Sequence, residues 1–163
     1  MPKQHRENLP AFVAECTLGR LAKWLRLAGF DTLFDNQSPD INRLSNCAKT
    51  QNRVVLSRTQ AVIKHLEIAQ GRLIRFNAPI DQIRQVIRDF DIDRPDLRPL
   101  SRCSQCNHPL RAADQENIQG AVPDYILLYH ERFRICPRCR RVYWPGSHST
   151  RILALIDRWF ELS

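Results

Sequence analysis

No apolar run in the chain is long enough to cross a bilayer, which excludes a helical membrane span. The first ten residues, MPKQHRENLP, lack the apolar core of a secretory signal, so a cytoplasmic location is expected. Internal repeats and low-complexity tracts are absent too, which excludes solenoids and repeat arrays. Acidic residues are the scarce charge: 17 Asp and Glu stand against 25 Lys and Arg, a net charge of +8. That balance favours a polyanionic partner, either nucleic acid or an anionic surface. What is present suffices for an ordinary core, since 43% of the 163 residues are hydrophobic. In a reducing compartment the six cysteines point to metal rather than to disulfides.

Short apolar runs alternate with stretches at helical spacing. AFVAEC (11–16), TLFD (32–35), RVVLS (53–57) and RLIRF (72–76) read as strands. Between the first two, Leu18, Leu21, Leu25 and Ala28 fall at helical spacing, with Gly29 as the stop. Ser38, Pro39 and Asp40 open a second helix that carries Ile41, Leu44, Cys47 and Ala48. Thr59 to Ala69 forms a third, ended by Gly71, and Ile80, Ile83, Val86, Ile87 and Phe90 mark a fourth. This alternation over residues 10–91 predicts an α/β domain with a parallel sheet covered on both faces. Residues 92–101, acidic and proline-bearing, read as a linker. Residues 102–146 form a small cysteine module, and 147–163 an amphipathic C-terminal helix with Ser149 as its N-cap.

Cys103-x-x-Cys106 and Cys136-x-x-Cys139 are two matched knuckles. Each can present two thiolates to one ion, and together they make a closed tetrahedral Zn2+ site. Such a site is structural, because no coordination position is left for a substrate. His108 and His148 are then surplus as ligands, and Cys16 and Cys47 read as small buried apolar residues.

Chemistry in an open parallel sheet gathers beyond the carboxyl ends of the strands. Glu15 ends the first predicted strand, Asp35 the second, and Asp40 follows in the first turn of a helix. Three carboxylates there would suit Mg2+ or Mn2+, hard ions that activate water and neutralise a phosphodiester. The plainer alternative makes Asp40 a helix cap and Glu15 a solvated side chain. The third strand ends in Leu56-Ser57-Arg58-Thr59, where an acid would complete the set; the neutral hydroxyl of Thr59 does not replace that charge.

FVAECTLGRLAKWLRLAGFDTLFDN, RVVLSRTQAVIK and FRICPRCRRVYWPGSH together resemble the Mut7-C family, over about Phe12 to Ile152. Its members are similar to PIN-like ribonuclease domains followed by a zinc ribbon. The resemblance implies a PIN-like three-layer domain with a parallel sheet, then a zinc-ribbon module and a C-terminal helix. It also implies a divalent-metal site and an RNA substrate. Glu15 stands where the family usually has Asp, which keeps the charge but moves it by one methylene. Ser57-Arg58-Thr59 stands where it has Thr-Arg-Asp, which removes a charge. Asp35 and Asp40 match the family's acidic loop.

The basic side chains complete the expectation. Arg20, Lys23 and Arg26 recur every third residue on what reads as an exposed helix flank, and Arg58 ends the third strand. Arg138, Arg140 and Arg141 crowd the second knuckle. These are candidates for phosphate contact, with His148 as a further donor at the start of the last helix, although a lone His is more often structural. Tyr143 and Trp144 either stack on unpaired bases or pack the ribbon, and for Trp144 packing is preferred. The leading expectation is metal-dependent hydrolysis of RNA, single-stranded or structured, through Glu15, Asp35 and Asp40. The rival is a non-catalytic module that binds RNA or a ribonucleoprotein, favoured by Thr59. A protein adaptor, with an exposed apolar patch, is the third.

Overall fold

The computed structural model describes residues 9–37, 40–66 and 70–161. Four short strands, β1 (Phe12–Ala14), β2 (Thr32–Phe34), β3 (Val54–Ser57) and β4 (Gly71–Leu73), pair in parallel in the order β2-β1-β3-β4. Val13 of the central β1 pairs with Leu33 on one side and Val55 on the other. Successive side chains of a strand face opposite ways, and each face has its own cover. Phe12, Ala14 and Leu56 share a core with Leu21 and Leu25 of α1 (Gly19–Leu27) and Ile83 and Val86 of α4 (Pro79–Asp89). Val13 and Val55 pack instead with Leu44 and Ala48 of α2 (Ile41–Gln51) and Val62 of α3 (Gln60–Lys64). The predicted three layers are therefore present.

Several boundaries differ from the sequence expectation, and the C-terminal helix ends at Asp157. Gly71, expected to stop a helix, opens β4 opposite Val55. A Cβ there would lie 3.1 Å from Leu66 and 3.2 Å from Ile63, so glycine lets this strand run close beneath the α3 segment without displacing those side chains. The ladder expected over 72–76 stops at Leu73, because Gln85 of α4 takes over the next polar groups, accepting from the Arg75 N–H and donating to the Leu73 carbonyl. The third helix, expected to run to Ala69, ends at Lys64, while the helix-opening role of Ser38 and Pro39, and residues 67–69, lie outside the described residues. Cys16 and Cys47 are half-buried rather than buried.

Residues 92–101 pack closely against the α/β layers. Ile92 and Leu97 are in the first core, and the N–H groups of Arg98 and Leu100 donate to the carbonyls of Ala28 and Leu27 at the end of α1. Helix ends leave such carbonyls without intrahelical partners. The chain comes so close that Gly29, at φ +103°, would place a Cβ 2.5 Å from the Arg98 oxygen.

The cysteine module holds an antiparallel sheet in the order β5-β6-β7, built from β5 (Arg111–Ala113), β6 (Phe133–Ile135) and β7 (Val142–Tyr143). Two short helices, α5 (Gln115–Ile118) and α6 (Asp124–Tyr129), lie between its first two strands. Ile118, Val122, Ile126, Phe133 and Ile135 form its own small core, with Trp144 packed against it. Helix α7 (Ser147–Asp157) returns to the first core through Ile152 and Ile156, and Trp159 just beyond it meets Trp24 edge to face at 5.8 Å. Its N-cap is Gly146, not Ser149. Ser149 lies one turn inside, where its hydroxyl accepts from the Gly146 N–H and donates to the Gly146 carbonyl, both at 2.8 Å.

Candidate functional site

The two knuckles have one local design. Cys103 N–H donates to the His108 carbonyl and Cys136 N–H to the Arg141 carbonyl, so each hairpin closes behind its CxxC turn. The residue after each second cysteine takes a left-handed backbone, Asn107 at φ 66° and Arg140 at φ 63°. The four sulfurs consequently converge, all within 4.8 Å of one another, with Cys103 and Cys139 at 3.7 Å. Tetrahedral Zn–S bonds of about 2.3 Å would set sulfurs about 3.8 Å apart. The donor set thus fits a metal ion such as zinc, and all four thiols are free of disulfides. Burial opposes ionisation of Cys103, but the Tyr143 hydroxyl, the N–H groups of Cys106 and Gln105, and Cys139 together hold its thiol down to about 6. Burial and the neighbouring sulfurs push Cys106 up to about 12, a repulsion that a dication would relieve. Tyr143 donates to Cys103 Sγ at 3.2 Å and accepts from the Ser104 N–H, so its polar end serves the knuckle.

Arg26 is not on an exposed flank. It is buried, and its guanidinium donates to the Thr32 carbonyl at 2.8 Å and to the Ser104 and Gln105 carbonyls of the first knuckle at 3.2 and 2.8 Å. Helical residues turn by about 100° each, so a spacing of three falls about 60° short of a full turn. By its third member the basic stripe has rotated from solvent, where Arg20 and Lys23 remain, into the domain boundary. Asn107 reinforces the same joint, accepting from Thr32 N–H and donating to Asp31 at 2.6 Å. Asp31 also pairs with Arg53 at 2.7 Å and faces Arg102 at 3.6 Å. Burial would raise the Asp31 pKa, but hydrogen bonds from Arg53 and Asn107 and the charges of Arg53 and Arg102 hold the carboxyl below its usual range. Arg53, Arg102 and Asn107 did not stand out in sequence, and Asp31 stood there with two readings, the site or the turn after Gly29. The one available signal was an Asn directly after a CxxC, a residue type that tolerates the left-handed turn.

The cysteine centre therefore sits against the amino-terminal end of β2. Glu15 lies at the opposite, carboxyl end of β1. There the chain order reverses, since β2 and β3 flank β1, and the resulting crevice is the topological switch point of the sheet. Glu15 does not face solvent; it is 1% exposed. Its carboxylate accepts from the Arg58 N–H at 2.7 Å, the Ser57 hydroxyl at 2.5 Å and the Thr17 hydroxyl at 2.8 Å. Asp35 is paired side-on with Arg43, at 2.8 Å to Nε and 2.7 Å to Nη2. Asp40 caps α2, accepting from Asn42 and Arg43 N–H groups. Among the described residues, the four cysteines are the one group of three or more His, Cys, Asp or Glu side chains close enough to share an ion. As folded, then, Glu15, Asp35 and Asp40 do not fit a shared Mg2+ or Mn2+, which needs several free oxygens at one point.

Arg58 is exposed beside the crevice, its Nη2 bonded to Asn77 Oδ1. Arg138, Arg140, Arg141 and His148 are also exposed. No described helix is long and apolar enough to cross a membrane. The family model described as the Mut7-C RNAse domain matches residues 10–156. No curated protein and no solved structure matches the chain.

Proposed function

The chain belongs to the Mut7-C RNAse domain family, and on that premise we propose that it acts as an RNA-binding module whose hydrolytic centre is closed. The observation that carries this reading is Glu15, sealed from solvent by Thr17, Ser57 and Arg58, with Thr59 standing where a further acid would complete a metal site. Arg20 and Lys23 on α1 and Arg58 just after β3 are exposed cations, and Arg138, Arg141 and His148 add charge on the ribbon side. A chain of net charge +8 needs no hydrolysis to hold a polyanion. Four-cysteine zinc would stabilise the ribbon, and Arg26 would couple that stability to the α/β layers.

The second reading is metal-dependent hydrolysis of RNA at Glu15 with Asp35 and Asp40. It is favoured by the retention of an acid at the switch point, and it requires Glu15 and Asp35 to leave their present partners. One experiment separates the two. Single-stranded and structured RNA are incubated with the protein in Mn2+ and in chelator, beside Glu15→Gln. Salt-sensitive binding with intact RNA in every arm is the expected result. Cleavage that requires metal and disappears in Glu15→Gln would establish the second reading, and absence of any binding would sink both.

A further inference from the structure

The edge of the sheet carries a feature that neither the knuckles nor the switch point accounts for. A cleft of about 460 Å³ opens between β4 and α4, lined by Arg72, Arg75, Phe76, Arg88 and Asp89 with Gln85 as its floor. Edge strands offer unpaired N–H and C=O groups to an added strand. Here buried Gln85 occupies those groups, donating to the Leu73 carbonyl at 2.7 Å and accepting from the Arg75 N–H at 3.0 Å. Strand addition is thereby blocked at this point, and the cleft has a fixed polar floor. Its charge is three guanidiniums against the one carboxylate of Asp89, which already accepts from Gln85.

Within this basic cleft Phe76 is exposed at 41%. The Arg88 guanidinium stands over its ring at 6.0 Å, and the Arg75 side chain has no partner among the described residues. An exposed aromatic face beside free and stacking guanidiniums is the arrangement that takes an unpaired base with its phosphate. Asn77, the next residue, bonds Arg58, whose own N–H donates to Glu15.

We propose that this cleft is a docking site for single-stranded RNA, with a base stacked on Phe76 beside Arg88 and the adjoining phosphate on Arg75. The strand would continue past Asn77 and Arg58 toward the switch point. A duplex is excluded, because its bases are paired and unavailable to Phe76. The inference rests on the RNA-binding reading above.

The test is fluorescence anisotropy with a labelled oligouridylate, on the zinc-loaded chain and on Phe76→Ala, Phe76→Trp and Arg75→Ala, each first shown to melt like the parent. Loss of one stacked base weakens binding by about five- to a hundredfold in Phe76→Ala. Phe76→Trp retains binding, and Arg75→Ala lowers the slope of log affinity against log salt by about one. If the parent binds RNA and Phe76→Ala binds it equally well, the docking site falls while the RNA-binding reading stands. If an acidic peptide of the same charge competes as well as RNA does, the cleft is a general anion surface and the base-stacking site is refuted. If the parent binds no RNA, both fall together.

Discussion

Replacing Arg26 with methionine keeps the volume of the side chain and removes its charge, which isolates the joint between the α/β layers and the cysteine module. In the native protein three carbonyls, those of Thr32, Ser104 and Gln105, converge on one guanidinium. Burial lowers the Arg26 pKa, while Cys103, Cys106 and Asp31 oppose that shift by favouring the cation. A hydrogen bond to a charged group contributes about 1.5–3 kcal/mol, and an orphaned buried carbonyl costs about 1–3 kcal/mol. Water can reach part of this joint, so the sum is not attained. We expect Arg26→Met to lose about 3–5 kcal/mol, the lower part of what orphaning three carbonyls at about 1–3 kcal/mol each would cost. For a chain of this size that corresponds to a fall of about 6–20 °C in Tm. Urea unfolding at fixed free zinc measures the loss, and the rate of zinc transfer to a chromogenic chelator measures its reach into the knuckle, which should release metal faster. Arg26→Lys, which keeps the charge but not the planar fork, should fall between. Arg20→Met, on the exposed part of the same helix, should unfold like the parent. A loss below about 1 kcal/mol in Arg26→Met, the size seen for an ordinary surface ion pair, would refute the claim that Arg26 joins the two parts.

Two further outcomes follow from the same region. Gly29→Ala should lose more than about 1–2 kcal/mol, because an L side chain is strained at φ +103° and its Cβ would collide with the Arg98 oxygen; circular-dichroism melts would read the loss, and an unchanged Tm would contradict the close approach. Asp31 has a folded pKa below its unfolded value, so its contribution is fully present above about pH 4 and is lost as pH falls through the folded pKa. Asp31→Asn should therefore be less stable than the parent at pH 7, by about 1 kcal/mol for a side chain a third exposed, and the difference should close in acid; a constant difference across urea titrations from pH 7 to 3 would show that the charge is not the source.

Much of the architecture was legible because it depends on short-range pattern. Residues 11–90 alternate short apolar runs with stretches of period about 3.6, and a sheet covered on both faces follows from the continuity of those runs. The CxxC pairs were equally legible, since a turn of four residues presents both of its sulfurs with little help from the rest of the chain. The candidate carboxylates were legible as positions and not as states. Glu15 does follow the end of β1 as expected, yet its partners Ser57 and Arg58, at and just beyond the end of β3, lie 42 and 43 residues away, and no local pattern reveals the register of that strand.

By itself, then, the sequence determined the elements, the cysteine ligand set and the basic excess, all of which are carried by neighbours in the chain. Tertiary structure alone decided which way each polar side chain turned. It rotated Arg26 out of a basic stripe and onto the knuckle, closed Glu15 beneath Thr17, Ser57 and Arg58, and seated the cysteine centre at the end of the sheet remote from that acid. It also left Phe76 uncovered among arginines. The physical reason is common to all four: a polar or aromatic side chain takes its role from the groups that surround it after packing, and some of those groups come from other elements of the fold.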